Sequence, residues 1–549
     1  MKILSLVIFF SIIFKHGIAQ DVLEKNPLSL FSKENLKNYV NILGHDSLSG
    51  RGTGTPQEEI TANFISKKYW EFGLEPVGNK NSYFQFIPLH GSKPLDFCKL
   101  KLHNKNGVSE LKLGDDYLLY TSGEQTFLAS SAPLIFVGYG IFAPEFDYND
   151  YQQIEVEGKI VVFLEGEPFS EDPRYFNGHT PTIYSLPEAK QRTALARGAV
   201  GSILLLQEND FSDQRWNTLQ NEFLFENVTL ASSVNSNLSI LINPKAAKKL
   251  FDNSKHSIGD IYSMHSENRM SSFELHCELE FNGSFSERDF LSRNVIGVLY
   301  GTDEKLKDDY LIISAHYDHL GIGPKVNGDS IYNGVHDNAI GVAGLLEIIR
   351  TLSRNNVKLK RSILFLCLTA EEKGLLGSQY YVSSPLVPLY KCIANVNIDG
   401  LAAFDEFNSI IGIGSEYSSL SVILKKILER RDVGLSSIPS EFENWISFYK
   451  SDQAAFAQAG VPSILVYEGI DPKNQKRQDA LNWYMNYSTK IYHTPFDDTD
   501  QIINYNATVQ HLTILYDLII ELANSDSVPE WNDDSPFLLA RLRSIAENR

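Results

Sequence analysis

The feature that most constrains this chain is the run Ile363–Leu368, six apolar residues with no polar alternation, followed three positions later by the adjacent carboxylates Glu371 and Glu372. A strand that is apolar on both faces has to be covered on both faces, which in practice places it in a parallel sheet between layers of helices. Ligands of such sheets bind at the carboxyl ends of the strands. Two negative charges side by side at that edge are either a solvated acidic loop opening the next helix, where carboxylates suit the positive end of the dipole, or part of a site. The rest of the sequence has to decide between these readings.

From residue 294 the rhythm is strand, loop, helix. Strand-like runs "NVIGVLYG", "YLIISAH", "SILFLCLTA", "CIANVNIDG" and "PSILVYEG" are interleaved with helix-like "AIGVAGLLEIIRTLSR", "SSLSVILKKILERR" and "VQHLTILYDLIIELAN". That alternation predicts the α/β class, a three-layer sandwich around a mixed, largely parallel central sheet. Upstream, residues 31–75 read as helical, with "ITANFISKKYWEFGLEP" carrying apolar positions at helical spacing up to Gly73. From about 126 to 285 the texture becomes short β segments such as "GKIVVFLEGEP" and "GSILLLQ", with one helix, "PEAKQRTALARGAVG". We therefore expect a β-rich domain at 126–285 inserted into a main domain made of 20–125 and 286–525, with a peripheral acidic tail at 526–549. The 549 residues exceed what one hydrophobic core supports, which agrees with such a division.

The first residues, "MKILSLVIFFSIIFKHGIAQD", place Lys2 before an apolar run and the small-residue pattern Gly17-Ile18-Ala19 after it. This reads as a secretory signal peptide, residues 1–19, and implies export to a periplasmic or extracellular space. No later apolar run is long enough for a membrane span. The net charge of -19 argues against nucleic-acid binding, which wants a basic face. Four cysteines, Cys98, Cys277, Cys367 and Cys392, are too few for a disulfide scaffold at this length, and the last two lie in or beside apolar strands as expected buried thiols.

Three neighbouring strands end in residues suited to a divalent metal: His316 and Asp318 after "YLIISA", Glu371 and Glu372 after "SILFLCLTA", and Asp399 in "NVNIDG". Asp337 stands at the entrance to the helix in "NGVHDNAIGVAG", and His493 lies in the turn-rich "YHTPFDDTD". A lone His or Asp after a strand is usually structural. Several converging on one sheet edge form an imidazole–carboxylate inventory of the kind that holds zinc. Two histidines, one shared Asp, a second Asp and a Glu would supply two metals with three protein ligands each, a co-catalytic hydrolase arrangement.

These segments carry a family resemblance. "SRNVIGVLYGTDEKLKDDYLIISAHYDHLG", "HDNAIGVAGLLEIIR", "RSILFLCLTAEEKGLLGS", "VNIDG" and "YHTPFDD" resemble the di-zinc exopeptidases typified by bacterial leucyl aminopeptidase and glutamate carboxypeptidase II. "LGHDSLSGRGTGTPQEEITANFISKKYWEFGLEPVG" and "SDQAAFAQAGVPSILV" agree, and the insert is similar to the protease-associated domain these enzymes often carry. The resemblance implies two zinc ions per chain. His316 and Asp399 would bind one, Glu372 and His493 the other, and Asp337 would bridge them. Asp318 would orient the His316 ring, and Glu371 would act as general base towards a metal-bridging water. It also implies a secreted aminopeptidase that hydrolyses the N-terminal bond of peptides.

Departures from the pattern are His336, where an Asp commonly precedes the bridging Asp, Ile340 in place of a small residue, and Gln453 in a Ser-Asp-Gln that replaces Ser-Asp-His. His319 and His336 are extra imidazoles for which supporting or surface roles are expected. Alternatives on the same scaffold are a glutaminyl-cyclase-like enzyme with one zinc, a carboxypeptidase-like enzyme, and a receptor-like binding relative that has lost its ligands. Aromatics and acids in "FDEFNSI" and "EFENWISFYKSD", rather than a cluster of Arg, favour recognition of a free amino terminus with hydrophobic or broad side-chain preference.

Overall fold

The computed structural model describes residues 30–119, 128, 130–172, 174–176, 178, 181–207, 213–233, 237–355, 357–442 and 448–546. Residues 1–19, read as a signal peptide, and residues 443–447 of "EFENWISFYKSD" lie outside the described residues.

The run that opened the sequence reading is the strand Ser362–Leu368, buried at every position. It is one of four adjacent parallel strands, in the spatial order Ser362–Leu368, Tyr310–His316, Cys392–Asn397, Ser463–Glu468. The long strand Phe285–Leu299 pairs antiparallel beside Ser362–Leu368, and Phe84–Pro94 and Asn227–Leu230 follow outwards. On the far side, Ser409–Ile413 runs antiparallel to Ser463–Glu468. The result is the mixed α/β sandwich expected, parallel at its centre and antiparallel at its margins.

One face of this sheet is covered by the helices Lys33–Leu43, Ile340–Arg354, Leu420–Arg431 and Tyr505–Asn524, whose apolar residues share a single core with the strands. The other face packs against Leu376–Ser383 and Gln453–Gln458 through Tyr381 and Phe456. Helix Ile340–Arg354 is buried along most of its length, Gly344 included, where an added Cβ would meet Leu401 at 2.6 Å. Each fully buried large apolar side chain here stabilises the fold by about 1.5–3 kcal/mol. The tail is fastened to this body: Trp531 Nε1 donates to the Gly460 carbonyl at 2.9 Å and Arg541 Nη1 to that of Cys392 at 3.0 Å.

A second sheet orders the strands Gly107–Leu111, Lys99–Asn104, Phe273–Asn282, Ala132–Phe136, Ile160–Leu164, Gly201–Leu205, Leu238–Ile242 and Tyr117–Leu119, with its own cores on the two faces. Three of these strands precede residue 126, and Asn227–Leu230, from within 126–285, pairs with the main sheet instead. All four cysteines are buried and unpaired. Among the described residues no helix is long and apolar enough to cross a membrane.

Candidate metal centre

The register of the parallel strands brings the chemistry together. His316 lies level with Leu368, and Ser314 with Asn397, so the chain leaves the sheet towards Glu371 and Asp399 on either side of His316. Asp337 reaches the same edge from the segment before helix Ile340–Arg354, and its peptide bond to Asn338 is cis. His493 comes in from the turn after Tyr487–Ile491. Ala370 and His493 both hold φ of +54°, a left-handed backbone that costs a non-glycine residue on the order of 1–3 kcal/mol and that concentrates at functional sites.

Five donors form two triads that share Asp337. His316 Nε2 lies 3.2 Å from Asp337 Oδ1 and 3.2 Å from Asp399 Oδ1. His493 Nε2 lies 3.3 Å from Asp337 Oδ2 and 3.1 Å from Glu372 Oε2. Zinc bound tetrahedrally at about 2.0–2.1 Å has ligand-to-ligand edges of roughly 3.3–3.4 Å, so each triad already has the spacing of a zinc shell, with one Asp337 oxygen turned to each. The buried His493 Nε2 makes no hydrogen bond despite its two carboxylate neighbours, as an atom directed at a point between them would. The donor set therefore fits a pair of zinc ions.

His319 behaves differently. Its Nδ1 is 2.5 Å from Glu372 Oε1 but 4.0 Å from Asp337 Oδ2, the unequal spacing of a hydrogen bond rather than of a common metal. Its donors nonetheless lie close enough to Asp337 and Glu372 to form a further metal-holding group, and the ring is fully buried. Its bond to Glu372 Oε1 leaves Oε2 for the His493 side. The sequence presented His319 only as an extra imidazole.

The Asp318 carboxylate points away from the role expected of it. The bond to the His316 ring is at 3.3 Å from the Asp318 backbone carbonyl, whereas the carboxylate Oδ1 stands 3.8 Å away. Asp318 Oδ1 instead accepts the backbone N–H of Glu371 at 3.1 Å, and Oδ2 accepts the Thr53 hydroxyl at 3.1 Å. Asp318 thus fixes both the histidine of one strand end and the glutamate of the next.

Two buried groups that sequence reasoning missed hold the loops. Arg51 donates to the carbonyls of Tyr317 (2.8 Å), Leu43 (2.6 Å), Asn333 (2.6 Å) and Gly334 (2.9 Å), clamping the backbone on both sides of the site. Asp497 accepts the N–H groups of His336 (2.9 Å) and Asp337 (3.1 Å), so Asp337 is held from the turn that carries His493. The available signals were an Arg between glycines in "SGRGTG" and an Asp four residues after His493. At Gly334, with φ of +60°, any Cβ would meet the Asp337 carbonyl at 2.1 Å and the His319 ring at 2.4 Å.

Burial pushes the Glu371 carboxyl well above its usual pKa, opposed by His316 and reinforced by Asp399 and Glu372. Burial also acts to raise Asp337 and Glu372, yet the imidazoles around them reverse it. His316 and His493 hold Asp337 well below the carboxylate range, and His493 and His319 bring Glu372 to about 2. The adjacent glutamates are therefore driven in opposite directions, one towards holding a proton and one towards holding charge. His336 Nε2 is buried without a partner, and its ring packs on Trp483 and Tyr487. Gln453 is a buried strut, accepting from Asn397 Nδ2 at 3.0 Å and donating to the Phe448 carbonyl at 2.7 Å.

The centre opens into a cleft of about 1170 Å³. Glu371, Glu372 and His493 line it, and Arg215, Leu219 and Phe225 reach it from the segment 126–285.

Residues 294–519 match the profile of Peptidase family M28. Leucine aminopeptidase 2 of Trichophyton equinum is 29% identical over 198 residues, covering 34% of this chain and 36% of that protein. The probable leucine aminopeptidase 2 of Aspergillus oryzae (strain ATCC 42149 / RIB 40) is 30% identical over 198 residues, covering 35% of this chain and 36% of that one. The match thus spans about a third of these relatives. Among solved structures, the aminopeptidase from Aneurinibacillus sp. strain AM-1 superposes with a TM-score of 0.54 at 18% identity, covering 91% of this chain and 95% of its own, a likeness of fold.

Proposed function

We infer from residues 294–519, which match the profile of Peptidase family M28, that this chain is an exported zinc aminopeptidase of that family acting on the N-terminal bond of peptides. The observation that supports this most is the pair of zinc-sized triads on either side of Asp337. His316 and Asp399 would hold one zinc, Glu372 and His493 the other, and Asp337 both. When bound, the zinc pair supplies Lewis-acid polarisation of the scissile carbonyl and lowers the pKa of a water.

The remaining work falls to the chain's own groups. Glu371, whose burial raises its affinity for a proton, starts as the carboxylate, takes a proton from the attacking water and returns it to the departing amine. Asp318 positions Glu371 through its backbone N–H, and His319 positions Glu372. The segment 126–285, with the protease-associated character its sequence resembles, supplies no metal ligand and shapes the cleft entrance through Leu219 and Phe225. Residues 1–19 act as the signal peptide and 526–549 as a docked tail.

The test is hydrolysis by the purified mature protein of aminoacyl 4-nitroanilides, of the same reporters with an acetylated amino group, and of carboxyl-terminal reporters. Only the free-amino series should be cut, with activity lost to a chelator and restored by zinc. Cleavage of the blocked or carboxyl-terminal series, or cyclisation of glutaminyl peptides with release of ammonia, would replace this reading.

A further inference from the structure

Glu468 ends the strand Ser463–Glu468, the neighbour of Cys392–Asn397 in the main sheet. Asn397 lies level with Leu465, so Glu468 stands about one residue beyond the level of Asp399. With strands about 4.8 Å apart and a rise of about 3.3 Å per residue, the two positions are separated by roughly 6 Å, about the reach of a long side chain.

Glu468 lines the same cleft as the metal centre, with Phe442, Trp483, Tyr484 and Tyr487. The rings of Trp483 and Tyr484 lie 4.9 Å apart at 85°, Phe442 stands 6.2 Å from Tyr484, and Trp483 stacks on Tyr487 at 5.9 Å and 7°. A carboxyl group set in aromatic walls requires a reason.

Its neighbours satisfy only part of it. The Tyr484 hydroxyl donates to Oε1. His511 Nδ1 is 3.8 Å from Oε2, but both ring nitrogens are committed elsewhere. Nδ1 accepts the Ala402 N–H at 3.1 Å and Nε2 donates to the Val466 carbonyl at 3.1 Å. Burial also lowers this imidazole to about 4, and with its Nδ1 lone pair taken by the Ala402 N–H it offers Oε2 no proton. No lysine or arginine of the described residues forms an ion pair with Glu468. Burial holds the Glu468 carboxyl above its usual pKa, against the Tyr484 hydroxyl and its own backbone N–H, so its charge is costly here until a cation meets it.

We propose that Glu468 closes the pocket for the first side chain of the substrate and selects lysine or arginine there. The aliphatic stem runs along the aromatic wall that Trp483 and Tyr484 form, whose faces also attract a cation, and the ammonium or guanidinium donates to Oε2. This rests on the aminopeptidase reading above and deepens it by naming the substrate class.

The test compares kcat/KM for L-lysyl, L-arginyl and L-norleucyl 4-nitroanilides, norleucine matching lysine in its stem without the charge. The lysyl and arginyl reporters should exceed the norleucyl one, and Glu468→Gln should lower the lysyl-to-norleucyl ratio by roughly 10- to 100-fold, the worth of one charge-assisted hydrogen bond. Calorimetric titration of free L-lysine and L-norleucine into the zinc-loaded protein should show tighter binding of lysine, lost in Glu468→Gln. A norleucyl preference in the wild type, or an unchanged ratio in a variant that melts like the wild type, overturns the proposal. If Glu468→Gln does not fold, Glu468→Asp retains the charge but withdraws it by one methylene, and preference should move from lysine towards the longer arginine; no movement also overturns it. If no free-amino reporter is cut while a carboxyl-terminal one is, the aminopeptidase reading has failed, and the amino-acid titration still decides whether the pocket takes a cation.

Discussion

In the second sheet Lys190 is buried, and its ammonium donates to the carbonyls of Tyr139 (2.8 Å), Leu164 (3.2 Å) and Gly166. Asp150 nearby accepts the N–H groups of Tyr139 (3.1 Å) and Ile141 (2.9 Å) and the Tyr148 hydroxyl (2.8 Å). At the strand ends of the main sheet the buried charges face one another instead: four carboxylates and three imidazoles within a few ångströms, with ring nitrogens of His319 and His493 left without a hydrogen bond. Both clusters pay desolvation. The first is completed by backbone and specifies a local fold. The second is incomplete without something bound between its members. What separates a structural charge cluster from a working one is therefore where its hydrogen bonds end, not how deeply it is buried.

The largest effect expected from breaking this comparison is on the working side. Glu371→Gln keeps the shape but cannot take a proton, so turnover should fall by about 10² to 10⁴ with an unchanged melting temperature. A variant that turns over normally would return the glutamate pair to the solvated acidic loop. Next in size is the mirror experiment in the second sheet. Lys190→Met leaves three carbonyls without their donor and removes the positive charge near Asp150, and should cost about 3–5 kcal/mol in denaturant unfolding, while zinc per folded chain stays the same. If zinc is lost instead, the two clusters are coupled and the comparison fails.

Asp318→Asn should lower activity or zinc affinity by about 10- to 100-fold, the usual loss for a group that orients a ligand. The loss in Thr53→Ala, which removes only the outer bond to Asp318 Oδ2, should be several-fold smaller, and an equal loss would mean that Thr53 reaches the substrate. The smallest effect belongs to the entrance: Phe225→Ala should alter KM for longer peptides a few-fold and leave kcat for single-residue reporters within about twofold, since loops on a rigid scaffold tune access. A drop in kcat would place the insert nearer the chemistry than its lining position indicates.

The parts of this site that were legible in the sequence are those carried by a single strand. Uninterrupted apolar runs such as Ile363–Leu368 announce a buried strand, and the polar residues that end it announce themselves by contrast. Arg51 and Asp497 were hidden because the contacts that tie them to the site are with backbone groups as far as 266 and 161 residues away in sequence, such as Tyr317 and His336, and no local pattern encodes such a contact. Asp318 was visible but its aim was not: position after a strand says that a carboxylate is near, whereas only the register says that it meets the Glu371 N–H. The same limit applied to the second sheet, where Lys99–Asn104, second from the edge, alternates polar and apolar residues and reads like any exposed segment.

The measurement that tests the central claim most directly is zinc per chain, by elemental analysis, in the wild type, Glu371→Gln and Glu372→Gln prepared side by side. The triads on Asp337 require two zinc ions in the wild type and two in Glu371→Gln. They require about one in Glu372→Gln, whose activity should return in part with excess zinc as the weakened His493 side refills. A fully active wild type with a single zinc, or a Glu371→Gln protein that loses metal while Glu372→Gln keeps both, would contradict the assignment of one glutamate to the proton and its neighbour to the metal.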